Sequence, residues 1–222
     1  MKAKLGRAYW KLWSATAVSN LGDGVSGIAY PWLASAVTRS PILIAVAGFA
    51  SRLPWLVFTL HAGVITDRFD RKKLILAMDF LRGLLTVVVG GFVLLNTESL
   101  PSLNELNSLI DMETNWALYL VLLIASFLFG LAEVLRDNSA QTLMPSVVAQ
   151  ENLEKANGRM WSAESLTNSF IGPPLGSFLI GISIFIPFFF DAVSFFVAVA
   201  SISAISGNFK PIHEQPREKI NF

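Results

Sequence analysis

Of 222 residues, 53% are hydrophobic and only 15% are charged, against roughly 25% charged in soluble domains. So few polar side chains could not cover that much apolar surface in water, which excludes an ordinary soluble fold and fits a chain solvated by lipid. With no cysteine and a net charge of +1, disulfide frameworks, thiolate catalysis and cysteine-based zinc sites are excluded, and no nucleic-acid partner is expected.

A helix needs about 20 mostly apolar residues to cross roughly 30 Å of hydrocarbon, and six segments meet that measure. Predicted helix 1 covers about 12–37 and is punctuated by Gly22, Gly24, Gly27 and Pro31. No small-residue cleavage site follows it, so it is expected to be retained rather than removed as a signal peptide. Helix 2 covers about 42–65, helix 3 about 74–95 and helix 4 about 116–135. Helix 5 covers about 160–180 and helix 6 about 184–205, separated only by Gly181 and Pro187. Residues 1–207 thus form one transmembrane bundle, and 208–222 form a polar tail with Pro211 and Pro216 that reads as a linker. The expected fold class is an all-α membrane protein.

The basic residues set the orientation. Lys2, Lys4, Arg7 and Lys11 precede helix 1; Arg68, Arg71, Lys72 and Lys73 lie between helices 2 and 3. Lys155 and Arg159 precede helix 5, and Lys210, Arg217 and Lys219 lie in the tail. The opposite side holds only Arg39, and its long loop carries Glu98, Glu105, Asp111 and Glu113. Both termini are therefore expected in the cytoplasm of a cell spanned at its inner membrane. Pro54 and Pro173 each sit about 13 residues into the second helix of a three-helix unit, a faint repeat that fits two inverted triplets.

Between helices 2 and 3 runs Gly63-Val-Ile-Thr-Asp67-Arg68-Phe-Asp70-Arg71-Lys72-Lys73. This run resembles the signature loop of the major facilitator superfamily. The resemblance implies that Gly63, Asp67, Arg68, Arg71 and Lys72 form a gating loop whose charge pairs hold the inside closed; a plain positive-inside anchor is the alternative. In helix 5, Asn168-Ser-Phe-Ile-Gly172-Pro173-Pro174-Leu-Gly176-Ser177 looks like the antiporter motif of the same superfamily, with Asn168 and Ser177 in place of its outer glycines. Gly172, Pro173 and Gly176 would give a bent helix with a thin face, and ordinary close packing is the alternative. Asn20-Leu-Gly22-Asp23-Gly24 and the stretch from Gly130 through Glu133, Arg136 and Asp137 to Pro145 resemble the macrolide and siderophore (enterobactin-type) exporter branch. That branch usually carries twelve helices, so the resemblance implies half of such a fold. A truncated chain, a split partner and a homodimer remain open as sources of the second half.

Ionisable groups inside a bilayer are expensive and mark pathways by default. Asp23 lies about 11 residues from the cytoplasmic end of helix 1 and Arg52 about 10 from the outer end of helix 2, which puts both roughly 15–16 Å deep at 1.5 Å per residue. With Asn20 they are the substrate or proton candidates, expected to face one another or a shared aqueous cavity. Asp79 and Arg82, Glu133 and Arg136 (each pair spaced i, i+3), and Glu164 are expected to build an inner-gate charge network that includes Asp67. Asp191 shows no evident partner at its depth. A lone His61 at a membrane edge reads as interfacial. The activity implied is proton-coupled efflux of a small organic molecule, a drug or siderophore, with no cofactor, no metal and no enzymatic step. A non-transporting scaffold or sensor is the bland alternative. Gly24-Val-Ser26-Gly27 matches a short intramembrane serine protease pattern, but no histidine lies deep in a later helix to serve as base. No phosphate-binding loop for an ATP-driven exporter occurs.

Overall fold

The computed structural model describes residues 5–101, 105, 112–207 and 209. Helices supply nearly all of it, and no strand occurs among the described residues. They are α1 (Arg7–Val37), α2 (Pro41–Thr66), α3 (Arg71–Leu95), α4 (Trp116–Val147), α5 (Leu153–Ser165), α6 (Gly172–Ile182) and α7 (Ile186–Ser203). A π-helical stretch, Leu166–Ile171, joins α5 to α6 without a break, so the three make one rod. Pro173 and Pro174 sit just after that stretch. They lack the N–H groups that would bond back to Ser169 and Phe170 one turn earlier, and a widened turn accommodates that loss.

The helix ends follow local chemistry. Pro41 begins α2, where its missing N–H is no loss. Asp70 caps α3 by accepting from the Lys73 N–H at 3.0 Å, and Asn115 caps α4 by accepting from the Leu118 N–H at 3.1 Å. The polar Arg136-Asp137-Asn138 run does not end α4, which continues to Val147. Arg136, Ser139 and Leu143 are buried at helical spacing and hold that extra length against the bundle.

Four helices, α2, α3, α4 and α7, are long and apolar enough to cross a membrane. Four such helices in one bundle make this a multi-pass membrane protein. α1 has the length, at 31 residues, but packs against α4, α5, α6 and α7. Surrounded by protein, it can carry Thr16, Ser19, Asp23 and Ser26 facing inward without meeting lipid. α2 shows the opposite pattern: Ile42, Leu56 and Leu60 are largely exposed, as a lipid-facing helix requires.

The pairings have an internal symmetry. α2 packs on α4, and the α5–α6 rod packs on α1; α1 packs on α7, and α4 packs on α3; α3 and α7 pack on each other. Exchanging the first three rods for the last three returns the same set. The closest crossings match too. A Cβ on Gly130 of α4 would collide with the Ser51 carbonyl of α2 and lie 3.3 Å from Pro54. A Cβ on Gly24 of α1 would collide with the Asn168 carbonyl and lie 2.9 Å from the Gly172 Cα.

Two apolar clusters fill the bundle ends. One joins Tyr9, Leu12, Ile75, Leu143, Ile202 and Phe209; the other joins Val37, Val93, Leu118, Leu122 and Phe188. The first described residue and the last, Leu5 and Phe209, share the first cluster. Basic side chains gather at that same end. Lys11 Nζ donates to the Ala204 carbonyl, and the Arg159 guanidinium lies 5.6 Å from the Trp10 ring centre. Of the expected tail, only Phe209 falls among the described residues; Lys2, Lys4, Asp111, Lys210, Arg217 and Lys219 lie outside them.

Candidate functional site

Between the two apolar clusters lies a charged layer. Arg82, on the inward face of α3, is 1% exposed, and its Nη2 lies 2.5 Å from Asp23 Oδ1 on α1. The guanidinium carbon sits 4.5 Å from the Phe129 ring centre and 4.3 Å from that of Phe195. Two aromatic faces thus hold the cation in place without quenching it. The same guanidinium lies 3.8 Å from Asp79 one turn back. Asp79 is fully buried and meets a second arginine, Arg136 of α4, at 3.3 Å. That approach is an ion pair without the alignment of a hydrogen bond. Arg136 also reaches Asp137 at 3.1 Å, Thr16 at 3.0 Å and Ser19 at 3.3 Å.

The result is an alternating row, Asp23–Arg82–Asp79–Arg136–Asp137, running across α1, α3 and α4. Every charge in the row has an opposite neighbour, which is the condition for keeping such groups out of water. The two layers expected from depth counting are therefore joined into one, because Arg82 reaches up to Asp23.

A cavity of about 670 Å³ opens beside the Asp23 end of this row. Its wall is drawn from α1, α2, α4 and the π stretch with α6. Asp23, Ser26 and Tyr30 come from α1, Arg52 from α2, Phe129 and Glu133 from α4, and Asn168, Ser169 and Pro173 from the last rod. A volume in this range suits a drug-sized molecule, and the mixture of aromatic and sparse polar groups is that of an organic-ligand site. Asp23 and Arg52 share the cavity wall, but the ion-pair partner of Asp23 is Arg82. Arg52 is exposed and makes no ion pair among the described residues.

The other sequence candidates are distributed as follows. Glu133 faces the cavity while its helical neighbour Arg136 turns to Asp79. Glu164 is half-buried on α5. The Asn20 side chain donates to the Thr16 carbonyl at 3.0 Å. Gly172 and Gly176 face α1: a Cβ on Gly176 would lie 2.7 Å from the Val25 carbonyl oxygen. In the loop after α2, Asp67 and Arg68 are exposed, and a Cβ added to Gly63 would meet no neighbour within 4 Å. Arg71 and Lys72 instead open α3 and hold the end of α7 and the chain just after it. The Arg71 N–H donates to the Phe209 carbonyl at 3.4 Å, and Lys72 Nζ donates to the carbonyls of Ser203 at 2.9 Å and Ile205 at 2.5 Å. His61 is exposed, its ring 3.3 Å from the Val57 carbonyl.

Asp191 is the residue that sequence reasoning leaves without a place. It is fully buried on α7, hydrogen-bonded by Ser26 of α1 and 3.5 Å from the Ser194 hydroxyl. The available signal is Ser194 three residues on, in a helix otherwise rich in phenylalanine. Ser26, the serine of the short protease-like pattern, has this carboxyl as its partner rather than a histidine.

Comparison with known proteins agrees with this architecture. A family profile described as transmembrane secretion effector matches residues 5–221. The chain belongs to the major facilitator superfamily. Macrolide efflux protein A of Streptococcus pyogenes is 22% identical over 159 residues, 72% of this chain and 35% of that protein. The multidrug efflux pump Tap of Mycobacterium tuberculosis is 38% identical over 69 residues, 31% of this chain and 16% of the pump. An uncharacterized MFS-type transporter, YkuC of Bacillus subtilis, is 33% identical over 96 residues, 43% of this chain and 22% of that protein. The chain thus spans about a third of the macrolide relative's length.

Proposed function

We propose that this chain is one six-helix half of a secondary exporter that drives a small, largely apolar organic molecule outward against a proton gradient. The observation that carries the reading is the Asp23–Arg82 ion pair on the wall of a drug-sized cavity. A carboxyl held by a single arginine at a wet surface can take up a proton, release the arginine and so link protonation to helix packing. Asp79 stands next along α3, so the freed guanidinium keeps a partner. That shift is small in distance and changes which helices are tied together, α1 with α3 or α3 with itself.

Six spans rather than four is supported by the interior position of α1 and by the continuity of the α5–α6 rod. The exchange symmetry of the helix pairings, with matched crossings at Gly130–Ser51 and Gly24–Gly172, supports two inverted triplets over residues 1–207. The basic residues gathered where α1 begins and α7 ends support a cytoplasmic location for both termini at an inner membrane. A second six-helix bundle, on the same chain, on a separate one or in a second copy, would close the cavity, and rocking of one bundle against the other would expose it alternately. Arg71 and Lys72, which open α3 after the loop that follows α2, bond to the end of α7 and the chain beyond it, and this supports a clamp at the cytoplasmic gate. The efflux names of the relatives favour export and a drug-like substrate.

The test is substrate flux in everted membrane vesicles under an imposed proton gradient, with a macrolide and a hydrophobic dye as probes. Uptake that collapses with a protonophore supports the reading. Equal probe levels in vesicles with and without the protein would leave a scaffold or sensor as the better description.

A further inference from the structure

The buried carboxyl that the exporter reading does not use is Asp191. It is 0% exposed, and among the described residues no cation lies within ion-pair distance of it. Its partners are two hydroxyls. Ser26 Oγ meets Oδ2, and Ser194 Oγ lies 3.5 Å from Oδ1 while donating to the Asp191 carbonyl at 2.7 Å. Space for this arrangement is made on α1: a Cβ at Gly22 would collide with both Asp191 and Ser194. Ser26 is itself on the cavity wall. One hydroxyl therefore separates a fully enclosed carboxyl on α7 from the cavity that Asp23 faces on the other side of α1.

We propose that Asp191 is a second proton-binding site, exchanging its proton with the cavity through the Ser26 hydroxyl. An isolated ionised carboxylate enclosed in protein is too costly to persist, and such a group neutralises instead of charging. A hydroxyl suits a neutral acid, because Ser26 Oγ can accept the acid proton from Oδ2 or donate to it once that proton has left. The charged and ionisable groups on the packed elements bear this out. α1 brings Asp23 and Tyr30, α3 brings Arg82, and α6 carries no ionisable side chain. Arg82, a cation that bears on Asp191, is already committed to Asp23 and Asp79.

In the exchange, the Ser26 hydroxyl hydrogen turns from Oδ2 to the cavity, Asp191 Oδ2 gives the acid proton to Ser26 Oγ, and the original Ser26 hydroxyl proton passes to solvent there. The reverse order reloads the acid, and no other group changes. Arg82 keeps Asp79 as its partner when Asp23 is protonated, so the Asp191 proton exchanges independently of the Asp23 pair.

This inference rests on the proton-coupled reading above, and its test is separate from transport. The full chain, purified in detergent, is followed by infrared difference spectroscopy during a pH titration, reading the C=O stretch of protonated carboxyls. The expected result is a protonated-carboxyl band that Asp191→Asn removes and Asp23→Asn leaves in place. Ser26→Ala is expected to shift that band, because a hydrogen bond is lost, and to slow its exchange on transfer to deuterated solvent. A spectrum in which Asp191→Asn removes no such band overturns the proposal. Should Asp191→Asn not fold, Ser26→Ala decides: an unshifted band with unchanged exchange is equally contrary. An intact Asp191 band in a protein with no gradient-driven flux would retain the proton site while removing the exporter reading.

Discussion

Arg82 Nη2 lies 2.5 Å from Asp23 Oδ1, so a cation on α3 is held by an anion on α1 at the edge of the cavity. The guanidinium is 1% exposed, and removing it leaves Asp23 and Asp79 facing each other's charge with less compensation. Arg82→Ala is expected to lower stability by about 3–5 kcal/mol, the usual consequence of breaking one side of a buried pair. Asp23→Asn combined with Arg82→Ala should recover part of that loss. Thermal unfolding of the parent, the two single variants and the double variant in detergent measures it as a double-mutant cycle; additive losses would mean the pair is not coupled.

Arg52 is exposed on the cavity wall and tied to no carboxylate among the described residues. Arg52→Ala should therefore leave stability within about 0.5 kcal/mol of the parent. Its apparent substrate affinity should fall by roughly tenfold, near 1.4 kcal/mol. Concentration-dependent flux and thermal unfolding, run side by side, separate a binding role from a structural one.

Small residues make a graded packing test. A Cβ on Gly24 would lie 2.9 Å from the Gly172 Cα, whereas a Cβ on Gly27, less than one turn along the same helix, would meet nothing within 4 Å. Gly24→Ala should cost about 1–3 kcal/mol through forced separation of α1 from the α5–α6 rod. Gly27→Ala should be neutral or slightly stabilising, since alanine favours a helix over glycine by about 1 kcal/mol. Equal melting temperatures for the two variants would argue against the close crossing.

Lys72, at the start of α3, ties that helix to the carbonyls of Ser203 and Ile205. Lys72→Met should cost about 1 kcal/mol, at the low end for a charged hydrogen bond because the site is partly open to solvent. The more specific expectation is faster amide exchange at the last turn of α7. Unchanged exchange there would remove the clamp from the account.

Much of this architecture is legible in the sequence because lipid imposes a simple length rule. The helix positions and the placement of basic residues follow from apolar runs and from Lys and Arg. The i, i+3 spacing of Asp79 and Arg82 also foretells their contact. What spacing along a helix cannot give is which rods face each other. The matching depths of Asp23 and Arg52 suggest that they face one another or a shared cavity; both line the same cavity, yet the cation that meets Asp23 is Arg82 from α3. Glu133 and Arg136 have ideal spacing, yet Arg136 turns to Asp79 and leaves Glu133 to the cavity. Asp191 has no visible partner in the sequence because its partners are hydroxyls, Ser26 and Ser194, which carry no charge signal. The π stretch is likewise hidden: Pro173 and Pro174 announce a disturbance in the helix but not its form.

The most direct measurement is the pH profile of proton-driven efflux in everted vesicles for the parent protein and for Asp23→Asn, at matched expression. If the Asp23–Arg82 pair carries the coupling, the variant retains the fold, loses its response to the imposed gradient, and transports at a rate at least about tenfold lower, a barrier change near 1.4 kcal/mol. An Asp23→Asn protein that pumps at the parental rate with the parental pH dependence would contradict the account.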